Sequence, residues 1–160
     1  MAGKKAAGKV MKYIIPIHFR EDGYLTELIQ QKFSTSLMSN CKWVKLIAAL
    51  VGNWCEIKQC LVKPIWDEEN PTRQLLIAKH TTYGFDYYAS AIESMVLGNP
   101  RGWYAYKEIE WLDFPRLVIL DEGAPPIVQD LVASKTIIDK AGQYTIELTQ
   151  DNLRLYAYLK

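Results

Sequence analysis

Residues 102–115, GWYAYKEIEWLDFP, form the densest aromatic run in the chain. From Glu108 to Phe114 apolar and charged residues alternate with a period near two, which predicts a strand. On that period Ile109 and Trp111 share one face, while Leu112 and Phe114 lie on the other further along. A core therefore claims both faces, and the segment reads as the central strand. Pro115 has no amide hydrogen for a ladder and marks its end.

Helical spacing appears in three places. After the turn signal Glu21-Asp22-Gly23, the apolar positions Leu25, Leu28, Ile29, Phe33 and Leu37 predict an amphipathic helix. A second helix is expected to start with Asn40 as its cap, with Trp43, Leu46, Ile47 and Leu50 as its buried stripe and Gly52 closing it. The third follows the proline pair Pro125-Pro126. A proline at the first helical position loses no bond, and Val128, Leu131, Val132 and Ile138 recur at helical spacing up to Gly142. A weaker, shorter pattern at 89–97, with Ile92, Met95 and Val96, favours a helix over a strand.

The remaining apolar runs read as strands. Residues 11–19 contain Pro16, which restricts them to a sheet edge. Runs 55–66 and 73–80 flank the turn-forming stretch Asp67-Glu68-Glu69-Asn70-Pro71 and form a hairpin with an acidic tip. Residues 81–88 continue as strand, with Gly84 marking a bulge or close approach. Residues 116–120 are a short apolar run. Alternation at 144–148 and 153–159 around Thr149-Gln150-Asp151-Asn152 predicts a terminal hairpin. Together these elements imply an α+β domain, an antiparallel sheet with helices packed mainly on one side.

Composition adds bounds. The chain has 160 residues, 49% of them hydrophobic, with five Trp and ten Tyr, enough for one domain with an aromatic-rich core. Residues 1–10, Met1 followed by Gly, Ala and Lys with a single Val, are a basic tail that buries too little to order itself, leaving 11–160 as the domain. No apolar segment long enough for a signal peptide or a membrane span follows that tail, which argues for the cytoplasm. Nineteen basic against eighteen acidic residues leave a net charge of +1, so no global field attracts nucleic acid or an anionic membrane. The odd trio Cys41, Cys55 and Cys60 fits a reducing compartment and buried, inert thiols.

Candidate chemistry is sparse. Glu108 and Glu110, two apart on a strand, put their side chains roughly 7 Å apart, within the range used by glycosidase carboxylate pairs. The same alternation also describes a half-solvated strand face, and that is the reading adopted. His18 and His80 lie in separate segments without a local nucleophile or a paired metal-ligand spacing. The glycines, each beside a turn signal, form no phosphate-cradling loop, so neither cofactor nor metal is expected. A helix followed by a hairpin at the C-terminus resembles a recognition helix and wing, with Lys135, Lys140 and Arg154 facing phosphate. Asp130, Asp139, Glu147 and Asp151 interrupt that basic surface. Two acidic clusters remain, Asp67-Glu68-Glu69 and Asp121-Glu122, both in connecting loops. An acidic patch near Tyr and Trp would steer and anchor a basic protein partner.

The segments NCKWVKLIAAL and YKEIEWLDFPRLVILDEG, the Pro-started helix, AGQY and the closing LRLYAYLK resemble a family of small bacterial proteins with no catalytic motif. The resemblance covers roughly residues 40–160. Members of that family are similar to immunity proteins, cytosolic antidotes to toxins delivered between competing bacteria. It implies a non-enzymatic protein that covers the active surface of a basic toxin, such as a nuclease. Asp67, Glu68, Glu69, Asp121 and Glu122 are the expected partner-binding residues, from the charge argument rather than the resemblance. A hydrolase using Glu108 and Glu110, and a nucleic-acid-binding module, are the alternatives.

Overall fold

The computed structural model describes residues 22–68, 73–81, 83, 91–94 and 102–160. The basic tail, the strand at 11–19, His18, Glu69 and most of the run at 81–88 lie outside the described residues. In chain order the elements are α1 (Asp22–Lys32), β1 (Thr35–Ser36), α2 (Asn40–Gly52), β2 (Leu61–Pro64), β3 (Arg73–Gln74), β4 (Ala91–Ser94) and β5 (Gly102–Ala105). They continue with β6 (Ile109–Pro115), β7 (Leu117–Val118), β8 (Ile127–Val128), α3 (Leu131–Ala141), β9 (Thr145–Leu148), β10 (Asn152–Tyr156) and β11 (Tyr158–Leu159). The fold is α+β. Its main sheet has the order β3-β2-β6-β10-β9, antiparallel throughout, with β6 at the centre as the alternation predicted. Two-stranded pairings β1–β11, β4–β5 and β7–β8 complete it.

One apolar cluster joins the α2 stripe Trp43, Leu46, Ile47 and Leu50 to Leu131 and Ile138 of α3 and to Val62, Leu112, Phe114, Leu153 and Leu155 of the sheet. Each such side chain contributes about 1.5–3 kcal/mol when fully buried. β6 carries a bulge. Lys63 and Pro64 pair with Trp111 and Ile109, so Glu110 is the extra residue. The bulge resets the alternation. Ile109 joins the cluster of Leu112 and Phe114 instead of sharing a face with Trp111.

Several boundaries differ from the sequence reading, each for a physical reason. The run 102–115 is not one strand. β5 ends at Ala105, a 3-10 turn spans Tyr106–Glu108, and β6 follows in another sheet. The segment expected as a helix at 89–97 contains β4, which pairs with β5 and sets Ile92 opposite Tyr104, both fully buried. A cross-strand partner outweighs a helical pattern too short to nucleate. Helix α1 begins inside the predicted turn signal and stops before Leu37. Ser39, not Asn40, caps α2, its hydroxyl accepting from the Lys42 amide at 3.2 Å.

The hairpin at 55–80 forms, but only over Leu61–Pro64 and Arg73–Gln74, because Trp54–Glu56 is a 3-10 turn. The third helix does not begin at Pro126. Ile127 and Val128 are taken by pairing with β7, and Asp130 caps the helix through the Ala133 amide at 3.0 Å. The terminal hairpin forms as expected, except that its last part, β11, leaves the main sheet to pair with β1.

Candidate functional site

The carboxylate pair is not a solvated strand face. Glu108 is fully buried, its Oε1 accepting from Trp66 Nε1 at 2.6 Å and its Oε2 from the Ala105 amide at 2.7 Å. Glu110, also buried, accepts from Lys63 Nζ at 2.7 Å, and the same ammonium reaches the Pro64 carbonyl at 3.3 Å. The reading overlooked these partners because Lys63 and Trp66 belong to a different segment. Each carboxylate holds a strand junction together.

Arg154, a phosphate contact only in the nucleic-acid alternative, donates from Nε to Asp113 Oδ1 at 3.0 Å and lays its guanidinium 3.8 Å from the centroid of the Trp111 ring. Lys135 is paired with Asp139 at 2.7 Å on α3. Lys63, Glu110, Trp111, Arg154, Tyr156 and Tyr158 border a shallow cavity of about 430 Å³. Of its charges, Lys63 is paired with Glu110 and Arg154 with Asp113, while Lys160 also lines it. His80 is exposed. Of the cysteines only Cys60 is buried, and burial, assisted by Asp113, pushes its thiol well up. Cys41 and Cys55 are exposed, contrary to the expectation of three buried thiols. Among the described residues no group of three His, Cys, Asp or Glu is placed to hold a metal, and no helix is long and apolar enough to cross a membrane.

The two acidic loops differ. Asp67 is buried and accepts from Arg73, with Nε at 2.7 Å. Glu68 is exposed but ion-paired to Lys32, whose hydrogen bond is the main reason its carboxyl titrates below the usual range. Lys63 stands 3.7 Å from Glu68 as a second cation. Neither carboxylate is free to meet a partner's charge without giving up a cation of its own. Asp121 and Glu122 are exposed and form no ion pair among the described residues.

The surface around that second loop carries several exposed aliphatic side chains. β7 and β8 form a ribbon in the register Leu117↔Val128 and Val118↔Ile127. Val118 is fully buried and anchors it. Leu117 and Val128, opposite each other in the register, are 60% and 65% exposed; Ile119, Leu120 and, on α3, Val132 are exposed as well, and Ile127, opposite the buried Val118, is partly so. Isolated exposed aliphatics are ordinary, whereas a contiguous group rimmed by charge marks a contact surface. Asp121 and Glu122 supply the rim. The turn is closed by Gly123 at φ +93°, a conformation that favours glycine, and by Pro125-Pro126.

Gln129 fixes this ribbon to the body and is itself fully buried. Its Oε1 accepts from the Lys58 and Gln59 amides at 2.8 and 3.2 Å, and its Nε2 donates to the Pro115 and Gln59 carbonyls at 2.8 and 3.2 Å. Its own amide donates to the Arg116 carbonyl at 2.7 Å. The side chain thus bridges the loop at 58–59 and the end of β6, supplying hydrogen bonds that a strand ladder would otherwise make. Sequence reasoning carried the helix back over residues 126–130, ahead of its start at Leu131, and missed the exposed row; the clue was the apolar run 117–120 mirrored by Ile127-Val128 across a turn rich in Gly and Pro.

No family model, curated protein or solved structure matches this chain.

Proposed function

We propose that this chain is a cytosolic binding protein of the immunity type, which neutralises a basic bacterial toxin, for example a nuclease, by covering its active surface. The observation that carries this reading is the β7–β8 ribbon, six exposed aliphatic side chains between Leu117 and Val132 beside Asp121 and Glu122, held rigid by Gln129. A pre-ordered apolar surface loses little entropy on docking, and the exposed carboxylates of Asp121 and Glu122 steer a basic partner. The resemblance of 40–160 to immunity-like proteins supports the same class. Of the five acids singled out from sequence, Asp121 and Glu122 take the steering role, because Asp67 and Glu68 have cations of their own.

The test is binding to the product of the adjacent gene, together with protection of cells that produce it. Leu117→Ser with Val128→Ser should raise the dissociation rate by about tenfold or more, as expected for anchor residues. Asp121→Lys with Glu122→Lys should slow association at low salt and lose that effect at high salt. No complex, or a complex indifferent to both double variants, overturns the proposal.

A further inference from the structure

On the helical side a groove of about 380 Å³ runs between α2 and α3. Its lining is alanine-rich, with Ala48, Ala49 and Ala141, and also carries Lys45, Lys140 and the polar Asn53 and Thr136. Both lysines are exposed, and neither has an ion pair among the described residues. The small alanine side chains leave a depression between two packed helices, while the lysines lend it a positive potential. An alanine-rich groove bearing two lysines is the counterpart of the β7–β8 ribbon, which has apolar flanks and an acidic tip. Among the described residues, Lys45 and Lys140 are exposed without an ion pair on one surface, and Asp121 and Glu122 likewise on the other. Within a single chain these groups do not meet.

We infer that the ribbon of one copy docks into the α2–α3 groove of a second copy, setting Asp121 and Glu122 against Lys45 and Lys140 and covering the exposed aliphatic row. Such a contact uses different patches on the two copies, so it propagates head to tail until a ring closes or the chain ends. A net charge of +1 leaves little repulsion between copies to oppose it. Self-association would sheath the apolar ribbon while no other partner is present. The inference stands on the two surfaces alone and does not need the toxin reading to be right.

Sedimentation velocity of the intact chain over a wide concentration range, at low and high salt, tests it. The mass is expected to rise with concentration above the 18.4 kDa of one chain, and more steeply at low salt. Lys45→Glu with Lys140→Glu, and separately Asp121→Lys with Glu122→Lys, should each weaken association about tenfold, since attraction becomes repulsion at two contacts. All four positions are exposed, so the fold should survive, which circular dichroism checks. Mixing the two variants in equal amounts restores opposite charges across the contact and should restore association. A chain that stays monomeric at every concentration, an association indifferent to both variants, or a mixture that remains monomeric overturns the inference.

Discussion

Lys63 and Glu110 are each about nine-tenths removed from water, yet both carry charge and face each other at 2.7 Å. Burying two ions costs several kcal/mol apiece, and their attraction repays this only while both are present. Lys63→Met is therefore expected to destabilise the fold by about 3–5 kcal/mol, because Glu110 is left buried without its cation. Adding Glu110→Met should recover most of that loss. Denaturant midpoints of the single and double variants measure it, and a double variant as unstable as the single would show that the pair acts through packing instead. At this scale the sequence was partly misleading. Glu-Ile-Glu-Trp looks like a half-wet strand, and its burial depends on a lysine 47 residues away.

Among the elements, the stripe of α2 was legible because its burial depends on a local period: Trp43, Leu46, Ile47 and Leu50 recur once per turn and are all buried. The β9–β10 hairpin was legible for the same reason, with turn chemistry and alternation side by side. The β7–β8 ribbon was not, because its two strands are too short to show a period and its anchor is a single polar side chain. Gln129→Ala would leave four backbone groups of the loops at 58–59 and 115 without their partner. At about 1–3 kcal/mol for a buried polar group left unsatisfied, with water regaining some, the expected loss is about 3 kcal/mol. Gln129→Glu should do no better, since a carboxylate repels the Pro115 and Gln59 carbonyls to which Nε2 now donates. Urea midpoints give the stability. Hydrogen exchange at Val118 and Ile127 should accelerate more than at β6, and equal acceleration at both would mean that Gln129 supports the whole fold rather than the ribbon.

Over the whole molecule, tyrosines set an alkaline limit. Burial pushes the phenols of Tyr106 and Tyr158 up to about 12, with Tyr83 contributing at Tyr106. Tyr106 stacks on Trp43 with ring centroids 5.7 Å apart, and Tyr158 stacks on Phe33 at 4.9 Å while its hydroxyl donates to the Lys107 carbonyl at 2.6 Å. In the unfolded chain a phenol ionises near 10. Between that value and 12 the unfolded chain releases these protons while the folded chain keeps them, so stability falls as pH rises. The loss approaches about 2–3 kcal/mol for each tyrosine by pH 12. Denaturant midpoints should hold near neutrality and drop above about pH 10. Tyr106→Phe with Tyr158→Phe, whatever its starting stability, should flatten that drop, and an unchanged slope would assign the alkaline loss to other groups.

By itself the sequence determined the α+β class, the centre of the sheet at β6, the buried stripe of α2 and the closing hairpin. Each follows from a period of two or 3.6 and from turn residues that neighbour it in the chain. Tertiary structure alone decided the rest. It made β4 a strand by setting Tyr104 opposite Ile92, turned Glu108 and Glu110 from solvated acids into buried braces, and tied Asp67 to Arg73 while leaving Asp121 and Glu122 without an ion pair among the described residues. It also exposed the aliphatic row of the ribbon. Whether an apolar or charged side chain is covered depends on which distant segment packs against it, and no local period carries that information.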